Sequence, residues 1–526
     1  MIPSHHWARN FTVTDDDIEY LTGLLLERET PLSSAELARA LIEWRIQHEA
    51  DEFEERFRNV RVYTPAQAYE VGQQVVFPAY DYALATITSV RPGDNVEYGD
   101  FSVIGIEFAD TPDASQTREF AAELTMPHKL SSTGEGEVAQ FTDPNSLTAE
   151  QILEANYDQI VDTVDERLSE TPDLVILAGK WFPSELLLAV NDGHLFLADA
   201  VLDLSGGGPM DTPSILKEIG GLGDAPSELQ VFSLNYALSN DNRFDEVGPA
   251  GRVWWYLNRL EPDDVRETPD MLRYQEIEYD RSALTPDMLA LEAELDDELS
   301  PLQAPASVGD EITITLNYPH RRVGTLPLNA KMRRIFPTAH RTQHIWVRLV
   351  DAQDGEEYQG WVVRQQRYVS GLSPLYLKHR MPVGAYVSVR QGDSPEKIVV
   401  DFRAHRARTE WIRLITPKNG QISFENEKRS IGAEYDDLMI VGADDLAAVD
   451  ALFQPTMSSR RSLTGLLRML IAEMSRLTPQ GTVHAKTLYS AVNVFRRVPP
   501  GPIFATLATE PDFENVGSHY WKLAGT

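Results

Sequence analysis

A short pattern occurs twice in this 526-residue chain and constrains its fold more than any other feature. Arg243-Phe244-Asp245-Glu246-Val247-Gly248 is followed by Val253-Trp254-Trp255-Tyr256-Leu257. Near the C-terminus, Asp512-Phe513-Glu514-Asn515-Val516-Gly517 is followed by Tyr520-Trp521-Lys522-Leu523. The shared signature is Phe, an acidic residue, any residue, Val and Gly, then Trp-any-Leu. Upstream of each lie a Pro or Gly turn leading into a helix (Pro209-Met210-Asp211-Thr212; Pro479-Gln480-Gly481-Thr482) and a third apolar segment (Phe232-Ser233-Leu234; Ile503-Phe504-Ala505). Three short helices cannot bury their apolar faces without a lid. Two strands joined by a Gly turn supply one, with Phe and Trp pointing inward.

The rest of the chain alternates helical and β-rich stretches. Thr14 with Asp17, Ser33 with Glu36 and Thr148 with Gln151 have the spacing of capping boxes. Ile18, Leu21 and Leu25, then Leu37, Ala40, Leu41 and Trp44, form apolar stripes of helical period. The N-terminal pair therefore reads as a helix-turn-helix at 10–60, with no wing in sight. Val75-Val76-Phe77, Ala85-Thr86-Ile87-Thr88 and Val103-Ile104-Gly105-Ile106 predict a small SH3-like barrel at 61–130, followed by a polar linker from Ser131 to Asn145. The expected order continues with a winged helix at 146–260 and an acidic linker at 261–308. A basic β-barrel at 309–415, an acidic connector at 416–454 and a C-terminal winged helix at 455–526 complete it. The fold class expected is α+β and multidomain, with winged-helix modules alternating with small β-barrels.

Charge divides the chain unevenly. The net formal charge is −34, yet residues 1–310 carry 19 basic and 60 acidic residues, while 311–420 carry 18 basic and 9 acidic. A basic island behind an acidic front suggests division of labour. Arg321, Arg322, Lys331, Arg333, Arg334, Arg341, Arg364 and Arg367 cluster in that island among Tyr318, Phe336, Trp346, Trp361, Tyr368 and Tyr376. Arg and Lys supply the salt-sensitive phosphate term of nucleic-acid binding, and bidentate Arg suits guanine. In the C-terminal repeat the second helix carries His484 and Lys486, with Arg496 and Arg497 close behind, as a DNA-reading helix would. The competing reading is that the island pairs with the carboxylates of the acidic front.

The two repeats resemble the HARE helix-turn-helix family, which includes the delta subunit of bacterial RNA polymerase. The match runs over 455–523 and, more loosely, over 195–257. The stretches Leu326-Pro327-Leu328, Phe336-Pro337, Leu349-Val350-Asp351, Gly355, Trp361, Tyr368 and Pro382-Val383-Gly384 faintly resemble the pseudobarrel DNA-binding domains of plant auxin-response factors and restriction-enzyme effector domains. These resemblances imply association with nucleic acid or with nucleic-acid enzymes, not a reaction.

Several chemistries lack their residues. There is no Cys, so disulfides and thiolate chemistry are excluded. There is no phosphate-loop motif and no Gly-x-Ser-x-Gly elbow. His340 and His344 stand four apart without a third ligand nearby, so no metal or cofactor is expected. No apolar run approaches the length of a membrane span, and the N-terminus does not read as a secretory signal. The expectation is a soluble, cytoplasmic, non-enzymatic protein. It would bind DNA through 311–420 and 455–526 and engage RNA polymerase or another basic partner through its acidic front. The alternative is a scaffold or specificity component of a defence or restriction system, acting through protein contacts.

Overall fold

The computed structural model of the chain describes residues 7, 11–57, 60–77, 80, 83–95, 98–108, 118–126, 148–303, 307, 309–339, 342–418, 421–439, 441–453 and 462–525. Helices and sheets are mixed throughout, and the chain divides into two compact units, 1–187 and 188–526. None of the described helices is long and apolar enough to cross a membrane. The linker expected from Ser131 to Asn145 lies outside the described residues.

The first unit opens with α1 (Asp15–Arg28), β1 (Leu32–Ser33) and α2 (Ser34–Phe57). The capping box at Thr14 and Asp17 forms, and Asp17 also receives the guanidinium of Arg45. Five strands follow: β2 (Arg61–Val62), β3 (Gln74–Phe77), β4 (Ala83–Pro92), β5 (Ser102–Phe108) and β6 (Arg118–Ala122). They form one sheet in sequential order around Tyr63, Val75, Phe77, Ile87, Ile104 and Ile106. The chain then returns to the opening helices through α3 (Ala149–Ala155), α4 (Tyr157–Ser169), β7 (Leu174–Leu177) and β8 (Lys180–Pro183). Strand β8 lies between β1 and β7, with Leu32 opposite Trp181. Ile160, Val164 and Leu168 join Leu21, Leu25, Leu37 and Leu41 in one core.

This corrects two expected boundaries. Residues 148–183 are not the start of the second module but the missing third helix and hairpin of the first. The helix-turn-helix expected at 10–60 has a lid after all. The five-stranded sheet is inserted between its second and third major helices, which carries the hairpin more than a hundred residues down the chain.

The second unit begins with the same order: α5 (Asp192–Leu204), β9 (Met210–Asp211), α6 (Thr212–Ile219), α7 (Ser227–Ser239), β10 (Phe244–Glu246) and β11 (Trp254–Leu257). Again the last strand is central, in the order β10-β11-β9. Phe244, Trp255 and Leu257 close the core, as the repeat implies. In both modules the buried indole N–H is anchored in the same way. Trp181 donates to Asp165 Oδ1 at 2.9 Å and Ser34 Oγ at 3.2 Å. Trp255 donates to Asn235 Oδ1 at 2.8 Å and Thr212 Oγ1 at 3.1 Å. Ser34 and Thr212 each begin their module's second helix. A buried indole needs such a partner because desolvating its N–H without one is costly.

Residues 261–308 are not a linker. They hold α8 (Asp263–Arg266) and α9 (Pro286–Leu295), and Leu272, Met288, Leu291, Glu292, Asp297 and Glu298 are all buried. The next domain comprises β12 (Glu311–Thr315), α10 (Tyr318–Val323), β13 (Thr325–Pro327), β14 (His344–Asp351), β15 (Glu357–Val363), β16 (Tyr368–Ser370), α11 (Ser373–Lys378), β17 (Tyr386–Gln391) and β18 (Lys397–Phe402). Its seven strands run β12-β17-β18-β14-β15-β16-β13, with β14 and β18 parallel.

The acidic connector expected at 416–454 is likewise structured. A long hairpin of β19 (Ala404–Lys418) and β20 (Gln421–Ala433) is joined by β21 (Val441–Ala443), and α12 (Leu446–Phe453) follows. Phe424, Met439, Val441 and Val449 share a core with the last module. That module is α13 (Leu463–Met474), β22 (Val483–His484), α14 (Ala485–Phe495), α15 (Pro500–Thr509), β23 (Phe513–Gly517) and β24 (Tyr520–Leu523), with β24 central for the third time. Here Ala485 begins the second helix, so the hydroxyl anchor is missing.

A fully buried ionic cluster fixes this last module. Arg497 donates to Asp297 at 2.7 and 2.8 Å, to Glu298 at 2.6 Å and to Asn493 at 2.9 Å. Tyr489 donates to Asp297, and His320 lies 3.1 Å from Glu298. Burial works to raise both carboxyls, but the charges of Arg497 and His320 hold Glu298 below the usual carboxylate range. Removing one member strands the others without water. Arg497→Ala is expected to cost about 3–5 kcal/mol. Arg476→Ala, which breaks an exposed pair with Glu473, is expected to cost less than about 1 kcal/mol. Urea unfolding of the full chain measures both, and similar small losses would contradict the cluster's role.

Candidate nucleic-acid interface

The cations singled out by the sequence separate into two groups. Of the four C-terminal ones, His484, Lys486 and Arg497 face inward. Every residue of α14 is buried, so this helix does not present the base-reading face expected of it. Arg497 is 1% exposed and held by two carboxylates. Lys486 is buried and reaches Asp436 at 2.9 Å and, more closely, Glu294. His484 caps α14 by accepting from the Lys486 N–H. Burial, then the neighbouring His519 and Lys486, push its imidazole down to about 4, so it is neutral at pH 7. His484, Lys486 and His519 line a cavity of about 350 Å³ together with Asp287 and Glu294. Arg496 is half-buried at the end of α14. The expectation that His484, Lys486 and Arg497 meet phosphate is thus corrected: desolvation and local carboxylates have already claimed them.

In the sheet domain, Arg321 is half-buried, donates to the Met381 carbonyl and lies over Tyr376 at 5.7 Å. Arg322 pairs with Asp450, and Lys331 with Asp296 at 3.5 Å. Arg341 lies outside the described residues. The remaining four, Arg333, Arg334, Arg364 and Arg367, fall in two adjacent loops. Met332–Arg334 form a 3-10 turn, and Arg364 and Arg367 flank the turn between β15 and β16. Arg333 and Arg334 are exposed. Arg367 takes a positive φ of 61°, a backbone form few L-residues adopt, and donates to the Glu298 carbonyl at 2.9 Å.

The two loops are tied together: the Leu328 N–H donates to the Arg367 carbonyl at 2.8 Å, and Arg333 Nε donates to the Leu328 carbonyl at 3.4 Å. Burial, then Arg367, lowers the proton affinity of Arg333; burial, then Arg333, lowers that of Arg364. The Nε of Arg364 is buried and makes no hydrogen bond. Clustered guanidinium groups, one of them with an unpartnered Nε–H, are chemically suited to an anion.

Two further features escaped the sequence. Trp411 on β19 is 64% exposed, with Lys428 of the paired strand 5.1 Å from its ring. Arg406 and Arg408 are exposed on the same strand. An exposed aromatic beside cations suits stacking on a base. Second, His344 meets Asp245 and Glu261, while His340 lies outside the described residues. Burial opposes its charge, but the two carboxylates raise it to about 9.

No family model, curated protein or solved structure matches the chain. The division of the cations has a direct consequence for stability. Lys486→Ala leaves the buried Asp436 without its counter-charge and is expected to cost about 1–3 kcal/mol. Arg333→Ala, at an exposed position, is expected to fall within about 0.5 kcal/mol of the parent. Thermal or urea unfolding distinguishes the two, and the reverse order would mean the cations are misassigned.

Proposed function

We propose that this protein is a non-enzymatic, nucleic-acid-associated regulator or accessory factor whose sheet domain grips phosphate through Arg333, Arg334, Arg364 and Arg367. The observation that carries the reading is the gathering of these arginines on two loops joined through Leu328 and Arg367, with Arg364 holding an unpartnered donor. The exposed Trp411 hairpin supplies a stacking platform in the same unit. We read the three helix–strand–helix–helix–hairpin modules as winged helices, a reading supported by their common strand order and by the resemblance of two of them to the HARE family. Because α14 is buried, the C-terminal module is assigned an architectural part rather than a groove-reading one.

A second reading, a scaffold that works through protein contacts, is favoured by one observation. Helix α5 exposes Phe196 at 66%, Leu197 at 50% and Leu204 at 89%, more apolar surface than a solvated helix needs. The carboxylates of residues 1–310 would suit a basic partner such as an RNA polymerase surface.

Binding of the full chain to a random duplex tests the first reading. Four phosphate contacts imply that affinity falls roughly 100-fold between about 50 and 200 mM salt. Each of Arg333→Ala and Arg364→Ala is expected to reduce the salt slope by about 1. No binding at the lower salt, or slopes unchanged in both variants, would overturn it in favour of the scaffold.

A further inference from the structure

Asp245, Glu261 and His344 come from three separate segments of the second unit. Asp245 is the middle residue of β10, on the lid of the second module. Glu261 follows the turn Asn258–Leu260 that ends β11. His344 is the first residue of β14 in the sheet domain. Nδ1 of His344 is 3.2 Å from Glu261 Oε2 and 3.5 Å from Asp245 Oδ2, and one potential ligand atom of each residue lies within 4.8 Å of the others. This is the one such group among the described residues.

The set is poorly completed by its own members. The side chain of Glu261 is 1% exposed, yet its Oε1 has no hydrogen-bond partner. Two carboxylates converge on a single imidazole nitrogen in a largely buried place. A divalent ion would complete it. At Zn–N and Zn–O distances of about 2.0–2.1 Å, tetrahedral ligands stand roughly 3.3–3.4 Å apart, which the two observed separations bracket. An imidazole ligand favours zinc or a similar transition ion over calcium or magnesium, which take oxygen ligands.

We propose that Asp245, Glu261 and His344 form a binding site for a divalent transition metal of the zinc class, with a fourth position open to water. The side chains of Asp245 and His344 are 28% and 17% exposed, which leaves that position reachable from solvent. The ion clamps the lid of the second module to the start of β14, the central strand of the sheet domain, where the Trp346 backbone N–H already donates to the Val247 carbonyl at 2.8 Å. Val247 is two residues from Asp245, and Trp346 two from His344, so the hydrogen bond and the metal brace the same junction.

Chelator-treated full-length protein titrated with Zn²⁺ alone, against a chromophoric competitor, tests the site. One tight equivalent is expected. It should weaken at least roughly 100-fold in His344→Gln and in Asp245→Asn and persist in His519→Ala. Circular dichroism verifies that each variant is folded. Should the ligand variants fail to fold, Co²⁺ added to the parent protein decides instead: an intense visible band of tetrahedral cobalt supports the site, and its absence overturns it. No saturable equivalent, or binding that survives His344→Gln but is lost in His519→Ala, also overturns the proposal.

Discussion

The second unit is organised around a charge that water never reaches. Arg497 sits among Asp297, Glu298, Asn493 and Tyr489 with its side chain fully buried, and His320 closes the far side of Glu298. A guanidinium in such a place is tolerable only when its geometry is met on several sides. The groups that meet it come from the segment after α9, from α10 and from α14. The cluster therefore ties the C-terminal module, the sheet domain and the 296–300 segment into one register. Because breaking any one contact strands the rest, neither module can shift independently of the others. It also explains why α14, the helix whose composition looks most suited to a nucleic acid, is the one most enclosed.

The three helical modules show how one solution is varied. Each places the last strand of its hairpin at the centre of a three-stranded sheet. Each buries a Trp at the second position of that strand: Trp181, Trp255 and Trp521. Two of them anchor the indole on a hydroxyl at the start of the second helix and an amide or carboxylate on the third. The third has Ala485 at the first of these positions and buries its second helix entirely. Polar anchoring from within accompanies a helix with one wet face; enclosure by neighbouring elements accompanies its loss.

Local signals in the sequence were legible where the physics is local. The caps at Thr14 and Thr148 form because their partners lie three residues away. The Phe and Trp of the repeat face the cores as their spacing implies. Partners distant in sequence leave no such local signal. The lid of the first module was invisible because a five-stranded sheet separates it from its helices. The acidic run at 261–308 looked solvated because Asp297 and Glu298 find their counter-charge about two hundred residues later, at Arg497. Composition does not separate buried from exposed cations: Lys486 and Arg497 are neutralised by carboxylates distant in sequence, while Arg333 stays exposed. The carboxylates beside His344 leave no sequence signal, because Asp245 and Glu261 lie about eighty to a hundred residues upstream of the strand that carries it.

The insertion in the first module has a consequence for how that module is made. As the chain leaves the ribosome N-terminus first, β1 at Leu32–Ser33 emerges long before β8 at Lys180–Pro183, the strand it pairs with. Until then α1 and α2 present Leu21, Leu25, Leu37 and Leu41 without the third helix that covers them. At elongation rates of about 5–20 residues per second, that exposure lasts roughly seven to thirty seconds. The inserted sheet, whose strands pair almost entirely with sequence neighbours, completes its own contacts within that window. The first module thus spends its nascent life as an open helix pair carrying a finished domain, and that interval is when a holding chaperone would find it.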